Sequence, residues 1–242
     1  MGRFSKAATG MTLAEHLSEI RHRFFVTTIS VFVFGVLSFL FYAPILKWLQ
    51  HPYCAANIHA CKFLITNPMD GLSLRIKISV YGGIFFSLPV IFWQAWRFIN
   101  PGLKKNEKKY IIPFVIAAVI FFVIGMVVAY FSFGHAIQFL QAIGGNTLVT
   151  EYNPNQYLSL LTLMLFAFGL TFEFPVVLVA LQLAGAVTPR TLLRNWRYAC
   201  IGITIASAVF TPSGDPLSMC ALAVPLVVFY FGAIGVGKIA KK

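Results

Sequence analysis

Glu173 is the residue in this chain whose chemistry is hardest to explain by packing. It sits in Phe166-Ala167-Phe168-Gly169-Leu170-Thr171-Phe172-Glu173-Phe174-Pro175, a carboxylate inside a long apolar run. An ionised side chain in hydrocarbon costs on the order of 3 kcal/mol or more, so one that persists marks a functional position facing a bundle interior or a water-filled cavity. Two chemistries suit it. It is either the titrating group of an ion- or proton-coupled small-solute transporter, or a buried polar point offered to another helix. The structural alternative is a protonated Glu173 bonded within the chain. Pro175 has no N–H for the Thr171 carbonyl, which leaves an acceptor for that proton.

The other acidic residues are few. Glu19 precedes Arg23 by four residues, the favoured order for a helical ion pair. Glu107 lies among Lys104, Lys105, Lys108 and Lys109, the pattern of a solvated turn. If both carboxylates share one face of the protein, a segment carrying guanidinium groups would bridge them by bidentate, charge-assisted contacts. Asp70, Glu151 and Asp215 fall outside the apolar runs or near their far ends. Catalysis finds little support. Ser213-Gly214 resembles the nucleophile region of an intramembrane protease, but it lies in a Pro-flanked turn. His16, His22, His51, His59 and His135 all sit in loops or at interfaces, without metal-ligand spacing. No enzyme activity, cofactor or metal is expected.

Hydrophobic residues make up 59% of the chain and charged ones 11%, with a mean hydropathy of +0.81, so the solvent that must position these groups is lipid. The net charge of +12 sits in short clusters between apolar runs, which points to membrane topology rather than nucleic acid. Neither a cleavable signal peptide nor a myristoylation motif is expected at the N-terminus. Residues 1–10 read as a disordered basic tail, and Thr12-Leu13-Ala14-Glu15 has the form of a capping box. An amphipathic segment with Leu13, Leu17, Ile20 and Phe24 should follow, lying along the interface before turning into the membrane.

Six spans are expected in one membrane domain over 11–237, at about 24–42, 74–98, 110–131, 157–183, 198–210 and 217–236. Ala43–Gln50 reads as a short amphipathic helix in the first outer loop. The fourth span is long enough to tilt or kink. The fifth, about 20 Å at 1.5 Å per residue, is too short to cross, and the sixth is interrupted by Pro225. The last hairpin should therefore stop short of the outer surface and leave a hollow or a thinned bilayer. Fifteen of the nineteen bases fall on the side that holds both ends of the chain, the basic tail 238–242 included, against Lys47, Lys62, Arg75 and Lys77 on the other. Both termini are then cytoplasmic. Cys54 and Cys61 share an outer loop and would be either a disulfide or two free thiols.

Four stretches together, His16-Leu17-Ser18-Glu19-Ile20-Arg21-His22-Arg23, Phe98-Ile99-Asn100-Pro101-Gly102-Leu103 with Glu107, Phe172-Glu173-Phe174-Pro175, and Thr211-Pro212 leading to Asp215, resemble the TatC family over about residues 12–237. That family is the integral membrane receptor of the twin-arginine protein translocase. The resemblance implies an all-α integral membrane protein, six helices in a cup-like arrangement with the fifth and sixth short. It implies a multi-pass protein of the cytoplasmic membrane that binds twin-arginine signal peptides of folded cargo. It also implies recruitment of TatA- and TatB-type helices and self-association. On the resemblance, Glu19, Arg21, Phe98 and Glu107 form the signal-peptide site, Glu173 and Asp215 are intramembrane polar or partner contacts, and Pro52 is a sensitive position in the first outer loop. Ile20 stands where the family has Leu, Asn100 where a small residue is common, and Met219 where Gln is frequent.

Overall fold

The computed structural model describes residues 13–56, 63, 65, 67–99, 111–144 and 152–240, and of 13–16, 55–56, 98–99, 111 and 240 it describes the backbone alone. The expected tail over 1–10, Glu107, Glu151, Cys61 and Lys62 lie outside the described residues. The described chain folds as α1 (Leu13–Leu40), α2 (Tyr42–Ala56), α3 (Asp70–Ile99), α4 (Ile111–Gly144), α5 (Pro154–Phe172), α6 (Phe174–Leu183), α7 (Pro189–Arg194), α8 (Trp196–Phe210) and α9 (Pro216–Ala240). α1, α3, α4, α9 and the α5–α6 pair are long and apolar enough to cross a membrane, and α8 is a shorter apolar helix. These are the six spans. At 15 residues α8 reaches about 22 Å, short of a hydrocarbon core of about 30 Å.

Polar residues set the helix starts. Asn153 caps α5, its side chain accepting from the Asn155 N–H at 2.9 Å with Pro154 in the first turn. Thr188 caps α7 in the same way, accepting from the Thr191 N–H at 3.2 Å. Several boundaries differ from the sequence expectation. α1 is continuous from Leu13 instead of turning at the membrane, because its polar first turns run on along α3, where Arg23 bonds the Gln94 carbonyl. α2 continues through Pro52 to Ala56. α4 runs on to Gly144, since Phe133, Ala136 and Ile137 recur at helical spacing and bury in the core. α9 passes through Pro225 unbroken, with Leu222, Leu226, Tyr230 and Ala233 buried along one side.

Packing falls into three parts. α1 pairs with α3 across small residues: a Cβ on Gly83 would stand 2.6 Å from the Val31 carbonyl, and one on Gly35 3.3 Å from that of Ser79. Most of α1 otherwise faces outward, with Phe24, Phe32, Val36 and Leu40 exposed. α4 and α5 approach as closely, at Gly125 beside the Phe168 carbonyl and at Gly169 beneath the Phe122 ring. α5 carries the centre of the core with Leu158, Leu161, Met164, Leu165, Phe168 and Phe172. α6 and α9 are joined by Gln182, fully buried, whose Nε2 donates to Ala233 O at 3.0 Å and Leu178 O at 3.3 Å; Gly237 leaves room for that amide. α2 lies across the end of the bundle opposite Glu19. Cys54 at its end is disulfide-bonded, while Cys200 and Cys220 are free thiols.

Candidate functional site

The end of the bundle bearing the N-terminus of α1 also holds the C-terminal end of α3, and there the sequence's ion pair is formed. Glu19 and Arg23 face the same side of α1, one turn apart, and Arg23 Nη2 donates to Glu19 Oε1. Arg23 Nη1 reaches across to the Gln94 carbonyl of α3 at 3.1 Å. This fixes the guanidinium, 11% exposed, and through it the carboxylate, 24% exposed. Glu19 Oε2 has no hydrogen-bond partner among the described residues. The pair therefore holds one carboxylate oxygen, Oε2, buried and without a partner among those residues, at the seam between α1 and α3.

Arg21 is exposed and lies about 200° around the helix from Glu19, so the structure does not bring those two side chains together. Phe98 falls one turn beyond Gln94, on the α3 end that Arg23 grips; its side chain and all of Glu107 are outside the described residues. Gln94 escaped the sequence reading because it contributes a backbone carbonyl, which any residue type supplies. Arg190, Arg194 and Arg197 are exposed at this same end of the bundle.

Glu173 marks a joint. α5 ends at Phe172 and α6 starts at Phe174, because Pro175 leaves the Thr171 carbonyl without its helical donor. Glu173 is the linking residue, its N–H bonding Leu170 O at 3.2 Å and its carbonyl accepting from Val177 N–H at 3.0 Å. The side chain is 8% exposed and Oε1 is buried without a partner among the described residues. The satisfied intrachain hydrogen bond that would make Glu173 an ordinary core residue is not present among them. Asp215 differs: it is 1% exposed, accepts from Ser213 Oγ through Oδ1 and from the Ser218 N–H at 2.6 Å through Oδ2. Both oxygens are occupied in starting α9, and Ser213 is a turn residue bonded to that carboxylate.

At the opposite end, Pro52 is buried inside α2. Beneath α2 and between α3, α4 and α5 lies an apolar cavity of about 700 Å³, lined by Trp48, Leu49, Phe85, Met126, Tyr130 and Leu165 among others. In the half nearer Glu19, α3 and α4 are closed by Phe92 on Phe122 (5.9 Å between ring centroids) and Trp96 on Phe114 (4.7 Å). A polar cluster that sequence reasoning missed ties the start of α3 to the start of α5. Asp70 accepts from Asn153 Nδ2 at 2.9 Å and Asn155 Nδ2 at 3.0 Å, and Lys77 Nζ donates to Asn155 O at 3.3 Å and Ser159 Oγ at 3.0 Å. The signal was the pair of asparagines flanking Pro154, legible as a helix cap but not as a long-range contact. Among the described residues, no three His, Cys, Asp or Glu side chains gather to hold a metal. The site can bind by charge and hydrogen bond at one end and by apolar contact in the middle.

The family model for the Sec-independent protein translocase protein (TatC) matches residues 15–225. The Sec-independent protein translocase protein TatC of Frankia casuarinae is 36% identical over 241 residues; the match covers 94% of this chain and 65% of that relative's length. The protein of the same description from Synechocystis sp. is 32% identical over 226 residues, covering 93% and 87%. Among solved structures, a crystal structure of the twin arginine translocase receptor TatC aligns with a TM-score of 0.74 at 32% identity, over 94% of this chain and 100% of that one. A second, of the receptor in DDM, gives 0.75 at 30% identity, over 92% and 99%. The six-helix, cup-like fold is theirs as well.

Proposed function

The chain belongs to the TatC family of Sec-independent protein translocase proteins, and from that premise we propose that it is the receptor and core translocation subunit of a twin-arginine translocase. It binds twin-arginine signal peptides of folded cargo at the face bearing Glu19 and works with TatA- and TatB-type membrane helices and with further copies of itself. The observation that carries this reading is the Glu19 carboxylate, held by Arg23 with Oε2 unpartnered. Oε2 is buried at the α1–α3 seam, so a signal arginine reaches it by displacing what covers it, and then makes a charge-assisted contact of about 1.5–3 kcal/mol. Arg21, Phe98 and Glu107 complete the site, Glu107 receiving the second guanidinium and Phe98 the apolar part of the signal next to the arginines. The cup takes up the apolar segment.

With fifteen of nineteen bases on the Glu19 side, that face and both termini are cytoplasmic in this reading, and the membrane is the cytoplasmic one. Glu173, buried with a spare oxygen at a joint, is the contact for a partner or signal helix. Asp215 serves that contact indirectly, by holding the turn at the start of α9. An ion-coupled transporter built on Glu173 is not favoured by the family to which the chain belongs.

Capture of a twin-arginine precursor by the purified protein in membranes tests the reading. Glu19→Gln keeps the shape and removes the charge, and capture should fall about tenfold or more. Lysines in place of the signal arginines should weaken capture similarly, since an ammonium lacks the planar fork. Undiminished capture by Glu19→Gln would remove this carboxylate from the site.

A further inference from the structure

α2 contains a proline in its interior, and the structure contains the group that compensates for it. Pro52 has no N–H, so the carbonyl four residues earlier, that of Trp48, has no donor within the helix. Tyr130 of α4 supplies one: its Oη donates to Trp48 O at 2.7 Å, and its ring stacks on the Trp48 indole at 4.4 Å between centroids and 8° between planes. The next carbonyl, that of Leu49, accepts from Tyr157 Oη of α5 at 2.8 Å, and Tyr157 is buried. Trp48 and Leu49 are also α2 residues that face the apolar cavity, with Tyr130 on its wall. A hydroxyl aimed at a released backbone carbonyl fixes a helix more tightly than apolar contact does, because sliding or rolling α2 breaks a bond for which that carbonyl has no replacement within the helix.

We infer that Tyr130 and Tyr157 are positioning residues, Tyr130 bonding the carbonyl released by Pro52 and Tyr157 the adjacent carbonyl of Leu49, that together they lock α2 as a roof over the cavity, and that transport depends on this lock while signal capture does not. Pro52 and Tyr130 then act as one unit. The roof stands at the opposite end of the bundle from Glu19, so it governs how far an apolar segment extends into the cup and leaves the arginine contact alone. The link to transport rests on the receptor reading; the lock itself does not.

The test is a double-mutant cycle on the full-length protein with Tyr130→Phe, Pro52→Ala and both. Tyr130→Phe keeps the stacked ring and leaves Trp48 O without a donor, and should lower the unfolding temperature by about 2–4 °C. Pro52→Ala returns an N–H to that carbonyl. The double variant should therefore unfold at the temperature of Pro52→Ala alone, the loss from Tyr130→Phe having vanished. In reconstituted transport each single variant should fall at least threefold and the double no further, while precursor capture stays within twofold of the unmutated protein. Additive losses in unfolding temperature would overturn the lock, and transport by Tyr130→Phe at the full rate would overturn its part in transport. If the unmutated protein captures no twin-arginine precursor, the receptor reading fails, and the unfolding cycle still decides the lock.

Discussion

Glu19 uses its two oxygens differently, one bonded to Arg23 and the other buried without a partner among the described residues, and in the proposed receptor that second oxygen is the one a signal arginine would take. The pair with Arg23 is local and was legible from spacing alone. Its anchoring was not, because the Gln94 carbonyl lies 71 residues away and has no side-chain signature. Asp70 shows the same limit from the other side. In sequence it is one acidic residue before an apolar run. In the structure it is buried and accepts from the Asn67 N–H at 3.0 Å as well as from both asparagine side chains that begin α5. Asp70→Ala should cost about 2–4 kcal/mol by leaving those donors unmet, seen as a fall of about 5–15 °C in unfolding temperature. Asp70→Asn should lose nearly as much, since its amide turns donors toward donors. A change under about 2 °C in either variant would mean that water satisfies the cluster.

The prolines Pro52, Pro89, Pro175 and Pro225 show how far elements can be read from sequence. Each predicts a lost hydrogen bond at the fourth residue before it; the sequence reading drew an interruption from Pro225, and expected the fourth span to tilt or kink on account of its length alone. Of these only Pro175 divides a helix; Pro52 has its orphan carbonyl met by Tyr130, and α3 and α9 carry Pro89 and Pro225 without interruption. Local chemistry states the vacancy, and the neighbouring helix decides whether the chain bends there. The same holds for α4, whose far half buries Phe133, Ala136 and Ile137 in the core. Pro175→Ala restores the donor to Thr171 O and should fuse α5 and α6. The unfolding temperature should not fall, yet transport should drop several-fold, because Glu173 passes from a joint into a regular helix and its carboxylate is redirected. Full transport by this variant would show that the joint has no part in the function.

For the molecule as a whole, thickness is uneven: α8 covers about 22 Å, while α3 and α4, at 30 and 34 residues, exceed the span of a bilayer. Mismatch costs fractions of a kcal/mol per Å, so lipid must thin beside the α8–α9 turn or that turn must sit within hydrocarbon. Transport in vesicles of increasing acyl-chain length should decline as the bilayer thickens, while precursor capture holds; a flat transport profile would mean that partners, not lipid, fill the gap. The pairing of α1 with α3 also sets an order of assembly during synthesis. α1 leaves the ribosome with no neighbour to bury its glycine face, and the Glu19–Arg23 anchor is complete only once Gln94 has been made. The roof waits longer, for Tyr130 and then Tyr157. At about 5–20 residues per second this leaves an interval of a few seconds in which a nascent chain has its Glu19–Arg23 anchor built and its roof still unlatched. Quality control acting on membrane proteins would meet that half-built form in every round of synthesis, and variants that slow the closing of the roof would be cleared before they were ever tested for transport.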